Sequence, residues 1–525
     1  MKSESELKEI EARKLMMTQT ECENENELVK KTSKNFISPR DLQKSRIRVG
    51  SSPNVAGGGG SLDRLNDIRE NSMASTYGPN WSVTSMPTIQ DFKAMEEIMS
   101  PLEYYHGYIC REDLIGILKK YGDYCVRISV HAASAEKKTV REKANKSMVT
   151  KLDILLANRD FVIAVNCNKK KEAEKETANK EKSDDKDDKK SKRIAISHIK
   201  NMVLRRTDGK LSIEPGKLFR TLNELVAHYK VNTGTYKGHE FQLLQPIGLT
   251  SWEFRHKEIE LSEKKLGEGA FGEVRVGTIR VKEGGLLKSV NVAVKMLKNA
   301  ESVTRDQVQE LLHEGRVMRY LDHKNVLRSY GVAVLHEPLY LMSELCGCGA
   351  LREYLRENAK TLTLNDRLQF CLGSARGVEY LHSQRLIHRD LAVRNVLLTD
   401  DKTPKVSDFG LAKVTDRYEM KETCKIPVRY LAPETLDTFV FTPKSDVFSF
   451  GMVMWEIFEN GVQPHDGKNA QTIKDLTKRQ QFLKLNEMAP EPLRKLVSDK
   501  IFVSDPENRC NMSAVVQALE KIVGK

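Results

Sequence analysis

The stretch IHRDLAVRN occupies residues 387–395, and SDFG follows it at residues 407–410. The first stretch supplies Asp390 and Asn395, and the second supplies Asp408. Carboxylate and amide oxygens can bind metal ions, and a carboxylate can also orient an acceptor hydroxyl. Transfer of a terminal phosphoryl group needs these groups, because it depends on charge neutralisation and alignment more than on covalent chemistry.

Two motifs further upstream supply the remaining parts of such a site. LGEGAFGEV at residues 266–274 contains three glycines, which allow the backbone to approach a polyphosphate closely. This pattern alone is weak evidence, because hairpin turns and dinucleotide-binding folds also use it. VAVK ends in Lys295, and QELLHEGRVM places Glu314 on a predicted helix. A lysine–glutamate ion pair can direct the ammonium group at phosphate oxygens.

Taken together, these motifs resemble the protein-kinase family over roughly Ile259 to Val523. The resemblance implies a bilobal fold with a β-rich N-lobe and an α-rich C-lobe. It also implies ATP and Mg²⁺, with Mn²⁺ as an alternative metal. The ATP-binding residues that it implies are Leu266, Gly267, Glu268, Gly269, Ala270, Phe271, Gly272, Val274, Ala293, Lys295, Glu344 and Cys346.

The same resemblance implies a role for each polar residue of the motifs. Lys295 is expected to contact the α and β phosphates while it is paired to Glu314. Asp390 is expected to be the catalytic base, and Asn395 and Asp408 are expected to hold the metal ion. The hinge that bonds adenine would run from Glu344 to Cys346, with Ser343 at the back wall of the pocket.

The catalytic loop indicates which hydroxyl accepts the phosphate. Serine/threonine kinases usually carry a lysine two residues after the catalytic aspartate, where this chain has Ala392, and Arg394 stands two residues further on. HRDLAVRN is similar to the HRDLAARN of receptor-type and Fes/Fer-type tyrosine kinases, in which the arginine adds positive charge near the phosphate. Pro427 resembles the proline with which tyrosine kinases shape a platform for the phenol. We therefore expect tyrosine specificity. By the same resemblance the activation segment lies between Asp408 and Glu434, and Tyr418, nine residues before Pro427, has the spacing of the family's activating phosphotyrosine. We expect autophosphorylation of Tyr418, with an unmodified surface tyrosine as the alternative.

Several further positions match or depart from the family pattern. Glu434 is expected to pair with Arg509, and Asp446 is expected to brace the catalytic loop. Tyr430 and Phe448 stand where the family usually has tryptophan. We expect these two departures to affect peptide preference and C-lobe packing but not phosphate chemistry.

A second group of motifs precedes the kinase-like region. YYHGYICREDLIGIL, GDYCVRIS, ISHIKNMVL and LFRTLNELVAHY resemble an SH2 domain that spans about Tyr104 to Pro246. The resemblance implies a central antiparallel sheet flanked by two helices, and it implies tyrosine-phosphorylated proteins as partners. Arg127 ends a predicted strand, and its planar guanidinium can bind two phosphate oxygens at once. The other expected phosphotyrosine contacts are Arg111, Ser129, His198 and Lys200.

The predicted organisation is α+β and multidomain. It consists of a largely disordered N-terminal region (1–103), the SH2 domain (104–246), a linker (247–258) and the kinase domain (259–525). Leu7 to Met17 and Phe92 to Met99 have helix-like apolar spacing, which we interpret as transient helices in solvent, with docking on another part of the molecule as the alternative. The charged insertion 169–193 has nothing to bury, so we interpret it as a solvent loop between strands at FVIAV and KRIAISHI. A membrane-binding basic patch is the alternative for this insertion.

The composition and the N-terminal sequence indicate which partners and which location to expect. Lys plus Arg number 86 and Asp plus Glu 73, so the net charge of +13 is spread over both signs and does not favour nucleic acid as a partner. We expect a cytoplasmic chain with no intrinsic membrane anchor, because the N-terminus lacks an apolar signal core and residue 2 is lysine. The plasma membrane would then be reached only through a partner.

An SH2-like region followed directly by a kinase-like region resembles the Fes/Fer branch of cytoplasmic tyrosine kinases, and in particular the Fer-like set of nematodes. The expected function is phosphorylation of protein tyrosines after recruitment by phosphotyrosine. An adaptor with an inactive kinase lobe is the main alternative, and a serine/threonine or dual-specificity kinase is another. We also expect SH2 binding to steady the upper lobe through the linker around Trp252.

Overall fold

The computed structural model describes residues 89–130, 159–169, 196–269, 272–297, 305–420 and 427–524. Within these residues the chain forms one unit around a four-stranded sheet, the sheet unit, and a second unit with two lobes, the two-lobed unit. A connection around Trp252 joins them. Helices and mainly antiparallel sheets together give an α+β architecture.

The sheet unit begins with two helices, α1 (Ile89–Met99) and α2 (Leu114–Ile117). The elements that follow are β1 (Asp123–Val130), β2 (Arg159–Asn166), β3 (Ile199–Val203), β4 (Arg205–Thr207), β5 (Lys210–Ser212), α3 (Leu222–Val231), β6 (Gly234–Tyr236), β7 (His239–Phe241) and β8 (Gln245–Pro246). The main sheet has the order β3-β2-β1-β8, with antiparallel pairing except between β1 and β8.

The centre of this sheet is buried on both faces. β1 and β2 are rich in apolar residues, and most of their residues are buried on both faces, which is typical of a strand covered on both sides. Leu114 of α2 and Leu225 of α3 join the same core. Thr221 accepts a hydrogen bond from the backbone N–H of Glu224 at 3.1 Å and so caps the start of α3.

The N-lobe of the two-lobed unit has the strands β9 (Ile259–Gly269), β10 (Gly272–Glu283), β11 (Leu286–Leu297), β12 (Ser329–Ala333) and β13 (Tyr340–Glu344), and the helix α4 (Arg305–Met318). The five strands form one sheet in the order β12-β13-β11-β10-β9. β11 is therefore the central strand, and it pairs antiparallel with β10 and β13. The predicted β-rich N-lobe is confirmed.

The C-lobe is mainly helical, as predicted. Its helices are α5 (Leu351–Glu357), α6 (Leu364–Ser383), α7 (Pro433–Thr438), α8 (Pro443–Phe458), α9 (Ala470–Lys478), α10 (Glu491–Leu496) and α11 (Met512–Val523). Its short strands are β14 (Gly349–Ala350), β15 (Leu386–Ile387), β16 (Val396–Leu398), β17 (Pro404–Val406), β18 (Lys413–Val414), β19 (Tyr418–Glu419) and β20 (Val440–Phe441).

Helix α8 forms the centre of this lobe. It begins with proline at its first position and is buried along nearly its whole length. Phe448 is 1% exposed and packs against Phe482 and Phe502, with ring centroids 5.5 Å and 5.1 Å away. The departure from tryptophan at this position is thus accommodated by a cluster of phenylalanines.

The interpretation of residues 89–103 as part of a disordered tail is wrong. Helix α1 places Phe92, Met95 and Met99 in the main hydrophobic core, with exposures of 9%, 6% and 0%. The ring of Phe92 lies 4.9 Å from that of Phe161 on β2. The apolar spacing in the sequence marks a helix that docks on the sheet unit rather than one that stays in solvent. The other predicted helical segment, Leu7 to Met17, and the rest of residues 1–88 lie outside the described residues.

The two units share a buried interface close to α1. Arg159 of β2 contacts the carboxylate of Glu337 at 2.7 Å and donates to the hydroxyl of Tyr108 at 2.7 Å. Glu253 of the connection is hydrogen bonded at 2.7 Å to His106 of the sheet unit, and both residues are buried. The sheet unit and the N-lobe are therefore held together by paired polar groups as well as by apolar packing.

Two further sequence predictions concern the flanks of the charged insertion. Strands β2 and β3 pair antiparallel, as expected for strands that a loop connects. The second strand begins at Ile199, later than the stretch KRIAISHI suggested, because residues 196–198 are helical. Most of the insertion itself lies outside the described residues. In the part of the chain that the structure describes, no helix combines the length and the apolar character needed to cross a membrane.

Replacement of Phe92 by alanine should lower the free energy of unfolding by about 3 kcal/mol, because it removes a buried ring that packs on Phe161. Chemical denaturation measures this change. Lys93→Ala, at an exposed position on the same helix, is the control and should stay within about 0.5 kcal/mol of wild type. A Phe92→Ala effect as small as that of the control would mean that α1 does not belong to the core.

Candidate active site

The site is organised around an ion pair between the central strand of the N-lobe and its helix. Lys295 lies near the end of β11, and its Nζ is 2.7 Å from the carboxylate Oε2 of Glu314 on α4. Burial alone would lower the pKa of Lys295, but Glu314 and Asp408 outweigh that effect, and the pKa is raised. The lysine is thus a stable cation in the cleft, as the predicted pairing requires.

Further side chains of α4 and the SDFG segment line the same cleft. The lining residues are Lys295, Leu297, Gln307, Glu310, Leu311, Glu314, Asp408 and Gly410. Glu310 was not predicted, although it lies four residues before Glu314 and therefore on the same face of the helix. Burial raises the pKa of Glu310, while the nearby Lys295 lowers it in part. The cleft therefore holds one lysine among three carboxylates.

Asp390 is held in place by two neighbours on the catalytic loop. Arg394 Nη2 donates to Oδ1 of Asp390 at 2.5 Å, and Asn395 Nδ2 donates to Oδ2 at 2.9 Å. Burial raises the pKa of the Asp390 carboxyl, although Arg394 opposes the shift. The sequence pattern predicted these three residues as one functional group, and the structure brings them into direct contact.

The backbone around these residues is strained in two places. Arg389 has φ +72° and Asp408 has φ +64°, in the left-handed region that side chains other than glycine rarely adopt. Asp446 of α8 accepts hydrogen bonds from the backbone N–H groups of His388 at 2.7 Å and Arg389 at 3.0 Å. The predicted bracing role of Asp446 is confirmed, and it accounts for how the strained conformation at Arg389 is maintained.

The described residues of the glycine-rich stretch lie on the paired ends of β9 and β10. Gly272 has φ +152°, and a Cβ atom there would lie 1.7 Å from the carbonyl oxygen of Met296, so only glycine fits. Ala270 and Phe271 lie outside the described residues. Leu266, Gly267, Glu268, Gly269 and Val274 lie on the paired ends of the two strands.

The predicted hinge residues follow the last N-lobe strand. Ser343 and Glu344 end β13, and Ala293 faces Ser343 across the β11–β13 pairing. The Glu344 carboxylate is 2.9 Å from Lys405 Nζ and accepts from the backbone N–H of Arg328 at 2.7 Å, so it supports the hinge from the C-lobe side. Cys346 is buried directly after the strand.

The activation segment places Tyr418 against basic side chains. The Arg389 guanidinium lies 4.3 Å from the centroid of the Tyr418 ring, and Lys413 Nζ lies 5.8 Å from it. Residues 421–426 are outside the described part of the chain. Further on, both guanidinium Nη atoms of Arg509 donate to Glu434, at 2.7 Å and 2.9 Å. This ion pair was predicted and is confirmed.

Tyr430 lies close to the catalytic loop. Its ring lies 5.0 Å from the guanidinium of Arg394, which itself bonds Asp390. The Tyr430 hydroxyl donates to Glu456 Oε1 at 3.0 Å. Sequence reasoning missed this connection because Tyr430 and Glu456 lie far apart along the chain.

Arg127 and Ser129 of β1 lie on one face of the main sheet, whereas the strand register places Lys200 of β3 on the other face. Arg127 is 5% exposed, and its Nη1 donates to the carbonyl oxygens of Ile109 and Ile128 at 3.1 Å and 3.2 Å. Arg111 Nη2 donates to the carbonyl oxygen of Ile199 at 2.8 Å, next to His198 and Lys200. Burial lowers the pKa of Arg127, and Arg111 lowers it further. A bound anion would offset this repulsion between the guanidinium groups of Arg127 and Arg111.

Comparison with known proteins assigns the two-lobed unit. The sequence model of the family described as "Protein tyrosine and serine/threonine kinase" matches residues 260–519. Tyrosine-protein kinase SRK3 of Spongilla lacustris is 35% identical over 317 residues, which are 58% of this chain and 90% of SRK3. The chain belongs to the tyrosine-protein kinase family.

Other members of the tyrosine-protein kinase family align over different parts of the chain. Fer-related kinase 1 of Caenorhabditis elegans is 29% identical over 435 residues, which are 82% of this chain and 96% of that protein. Tyrosine-protein kinase Srms of Mus musculus is 39% identical over 280 residues, but this chain covers only 53% of its length. The alignment with Fer-related kinase 1 is longer than the segment that the family model matches, so it also includes the sheet unit. The expected similarity to the Fer-like set is confirmed.

Proposed function

We propose that the chain is an ATP-dependent non-receptor protein-tyrosine kinase that transfers the γ-phosphate of ATP to protein tyrosines. The observation that carries this proposal is the convergence of Lys295, Glu314 and Asp408 on one cleft. Asp390 lies on the adjoining loop, already fixed by Arg394 and Asn395. An inactive lobe that serves only as an adaptor would not need both arrangements at once.

Each polar residue of the cleft and of the catalytic loop would have its own role in phosphoryl transfer. Lys295 would bind the α and β phosphates, with its ammonium group directed by Glu314. The tyrosine oxygen would form a bond to the γ phosphorus as the bond to the β–γ bridging oxygen breaks, and ADP would leave. Asp390 would accept the phenol proton, and Arg394 would offset negative charge next to it. Burial favours proton acceptance, because it raises the pKa of the Asp390 carboxyl.

The side chains on the catalytic loop and the SDFG segment also fit a metal ion. Asn395 uses Nδ2 for its hydrogen bonds to Asp390, which leaves the amide Oδ1 as an oxygen ligand. Asp408 supplies a carboxylate to the same cleft. Such oxygen donors suit Mg²⁺ and also Mn²⁺. A bound divalent cation would neutralise phosphate charge and compensate for the excess of carboxylates over Lys295.

The proposed nucleotide site extends from the glycine-rich stretch to the hinge. The glycine-rich stretch of residues 266–274 would cover the phosphates, and the backbone from Glu344 to Cys346 would bond adenine. Tyrosine rather than serine is the proposed acceptor. Ala392 stands where serine/threonine kinases usually carry a lysine, and Arg394 matches the arginine of the tyrosine-kinase pattern. Tyr418 is the proposed autophosphorylation site, and its contact with Arg389 supports this role.

We further propose that residues 104–246 form an SH2 domain that recruits the kinase to phosphotyrosine proteins. The antiparallel sheet, the helices α2 and α3 and the buried Arg127 support this proposal. Arg127 would bind two phosphate oxygens, with Ser129 on the same face of the sheet and Arg111 beside it. Recruitment to the inner face of the plasma membrane would follow the location of the phosphorylated partner.

The contacts between the units support a coupling between recruitment and catalysis. Asp113, just before α2, accepts two hydrogen bonds from Arg316 of α4, at 2.7 Å and 2.9 Å. The backbone of Trp252 bonds Val332 of the N-lobe at 2.8 Å, and the Arg319 guanidinium lies 4.7 Å from the Trp252 ring. α4 also carries Glu314, so the sheet unit is in a position to fix the ion pair of the active site.

Replacement of Asp390 by asparagine should lower kcat on a tyrosine copolymer by more than about 10²-fold, because it removes the proposed general base. Incorporation of labelled phosphate from ATP measures the rate. Asp437→Asn, a half-exposed aspartate of α7, is the matched control and should behave as wild type. Equal incorporation by wild type and Asp390→Asn, or incorporation confined to serine, would overturn the kinase assignment.

Arg127→Lys should weaken binding of a phosphotyrosine peptide by at least about tenfold, because a point charge replaces a planar group with two donors. Calorimetry with the phosphorylated and unphosphorylated peptide gives the dissociation constants. Arg206→Lys changes an exposed arginine of the same unit and should leave affinity unchanged. The SH2 proposal fails if Arg127→Lys binds as well as this control.

Asp113→Asn should lower kcat of the intact protein by about fivefold, because it weakens the contact that holds α4. It should also abolish the rise in turnover that a saturating phosphotyrosine peptide produces in wild type. Glu112→Gln, at the exposed neighbouring position, serves as the control. The coupling would be ruled out if saturating peptide left the turnover of wild type unchanged and Asp113→Asn kept the kcat of wild type.

A further inference from the structure

One buried carboxylate joins position 430 to the catalytic loop. The hydroxyl of Tyr430 donates to Glu456 Oε1 at 3.0 Å, and the backbone N–H of Val393 donates to Glu456 Oε2 at 3.0 Å. Tyr430 is 3% exposed and Glu456 is 1% exposed. Both oxygens of Glu456 are therefore engaged in a site from which water is largely excluded. Neither contact can be lost without leaving a buried polar group unpaired.

The ring of Tyr430 makes a second contact with the same loop. The guanidinium of Arg394 lies 5.0 Å from the ring centroid, within the range of a cation–π contact. The same guanidinium donates to Asp390 at 2.5 Å. Arg394 is thus fixed between an aromatic face and the carboxylate that it must orient.

We propose that Tyr430 is a positioning residue for the catalytic loop, which it holds through Glu456 and through its ring contact with Arg394. The inference rests on the proposed kinase function and extends it to a residue outside the motifs that carry the chemistry. Tyr430 stands where the family resemblance implies tryptophan, a side chain without a hydroxyl. Pure core packing is the competing explanation, and it would require only the ring.

The charge state of Glu456 adds a readout that packing alone would not give. Burial raises the pKa of Glu456 to about 7, against the opposing effects of the Val393 N–H, Arg394, the Tyr430 hydroxyl and Arg352. Removal of the hydroxyl removes one interaction that favours the ionised form, so the pKa should rise further. More of the carboxyl would then be protonated at neutral pH, and its attraction to Arg394 would weaken. Raising the pH should restore part of the lost activity.

The test compares Tyr430→Phe, which keeps the ring, with Glu456→Gln and with the double variant. Steady-state kinetics give kcat and the KM for ATP, and hydrogen exchange reports on the amides of residues 388–396. Tyr430→Phe should lower kcat by about tenfold with the KM for ATP within about twofold, and should speed exchange in the catalytic loop. In the Glu456→Gln background the same substitution should cost much less, because both residues act through one contact. Tyr320→Phe, at an exposed tyrosine, is the control.

Each result decides the proposal. Wild-type kcat and exchange in Tyr430→Phe, or additive losses in the double variant, would overturn it. Faster exchange spread evenly over the C-lobe would show a packing role only and would also overturn it. If wild type itself transfers no phosphate, the kinase proposal fails separately, and faster exchange confined to the catalytic loop still supports the positioning role.

Discussion

The ion pair between Lys295 and Glu314 constrains the strand, the helix and the ligand that the cleft can accept. Lys295 extends from the central strand of the N-lobe sheet and Glu314 from α4, so their 2.7 Å contact fixes the helix against the sheet. Both charges are partly removed from water, and loss of one partner would leave the other unpaired at high cost. Glu310 and Asp408 add two more carboxylates to the cleft. This excess of negative charge favours a polyphosphate that arrives together with a divalent cation over a bare anion.

Helix α4 transmits this constraint to the rest of the molecule. Glu314 and Arg316 are two residues apart, which places them about 200° apart around the helix axis. One side chain faces the cleft, and the other bonds Asp113 of the sheet unit. A rotation of α4 that lengthens the Lys295 contact must also disturb the Asp113 contact. The two units are therefore mechanically linked through one rigid element, without any need for a long pathway of side chains.

The sequence predicted the parts of the site that depend on residue identity and close spacing. Asp390, Arg394 and Asn395 lie within one short loop, so the chain itself brings them together, and the pairs Lys295–Glu314 and Glu434–Arg509 were predicted by resemblance. Contacts between distant segments could not be predicted in this way. The bond from Asp113 to Arg316 and the docking of α1 depend on how two units pack, which no local pattern specifies. The apolar spacing in α1 showed a buried face but not the surface that covers it.

The core helix α8 explains why a substitution at Tyr430 can affect the catalytic loop. Asp446 accepts from the N–H groups of His388 and Arg389 at one end of the loop, and Glu456 accepts from the N–H of Val393 at the other. Ten residues of helix separate these carboxylates by about 15 Å along the axis. Buried carboxylates are costly unless their oxygens are satisfied, so each fixes its backbone partners closely. The loop is thus shaped by a helix in the core, and whatever completes the hydrogen bonding of Glu456 takes part in shaping it.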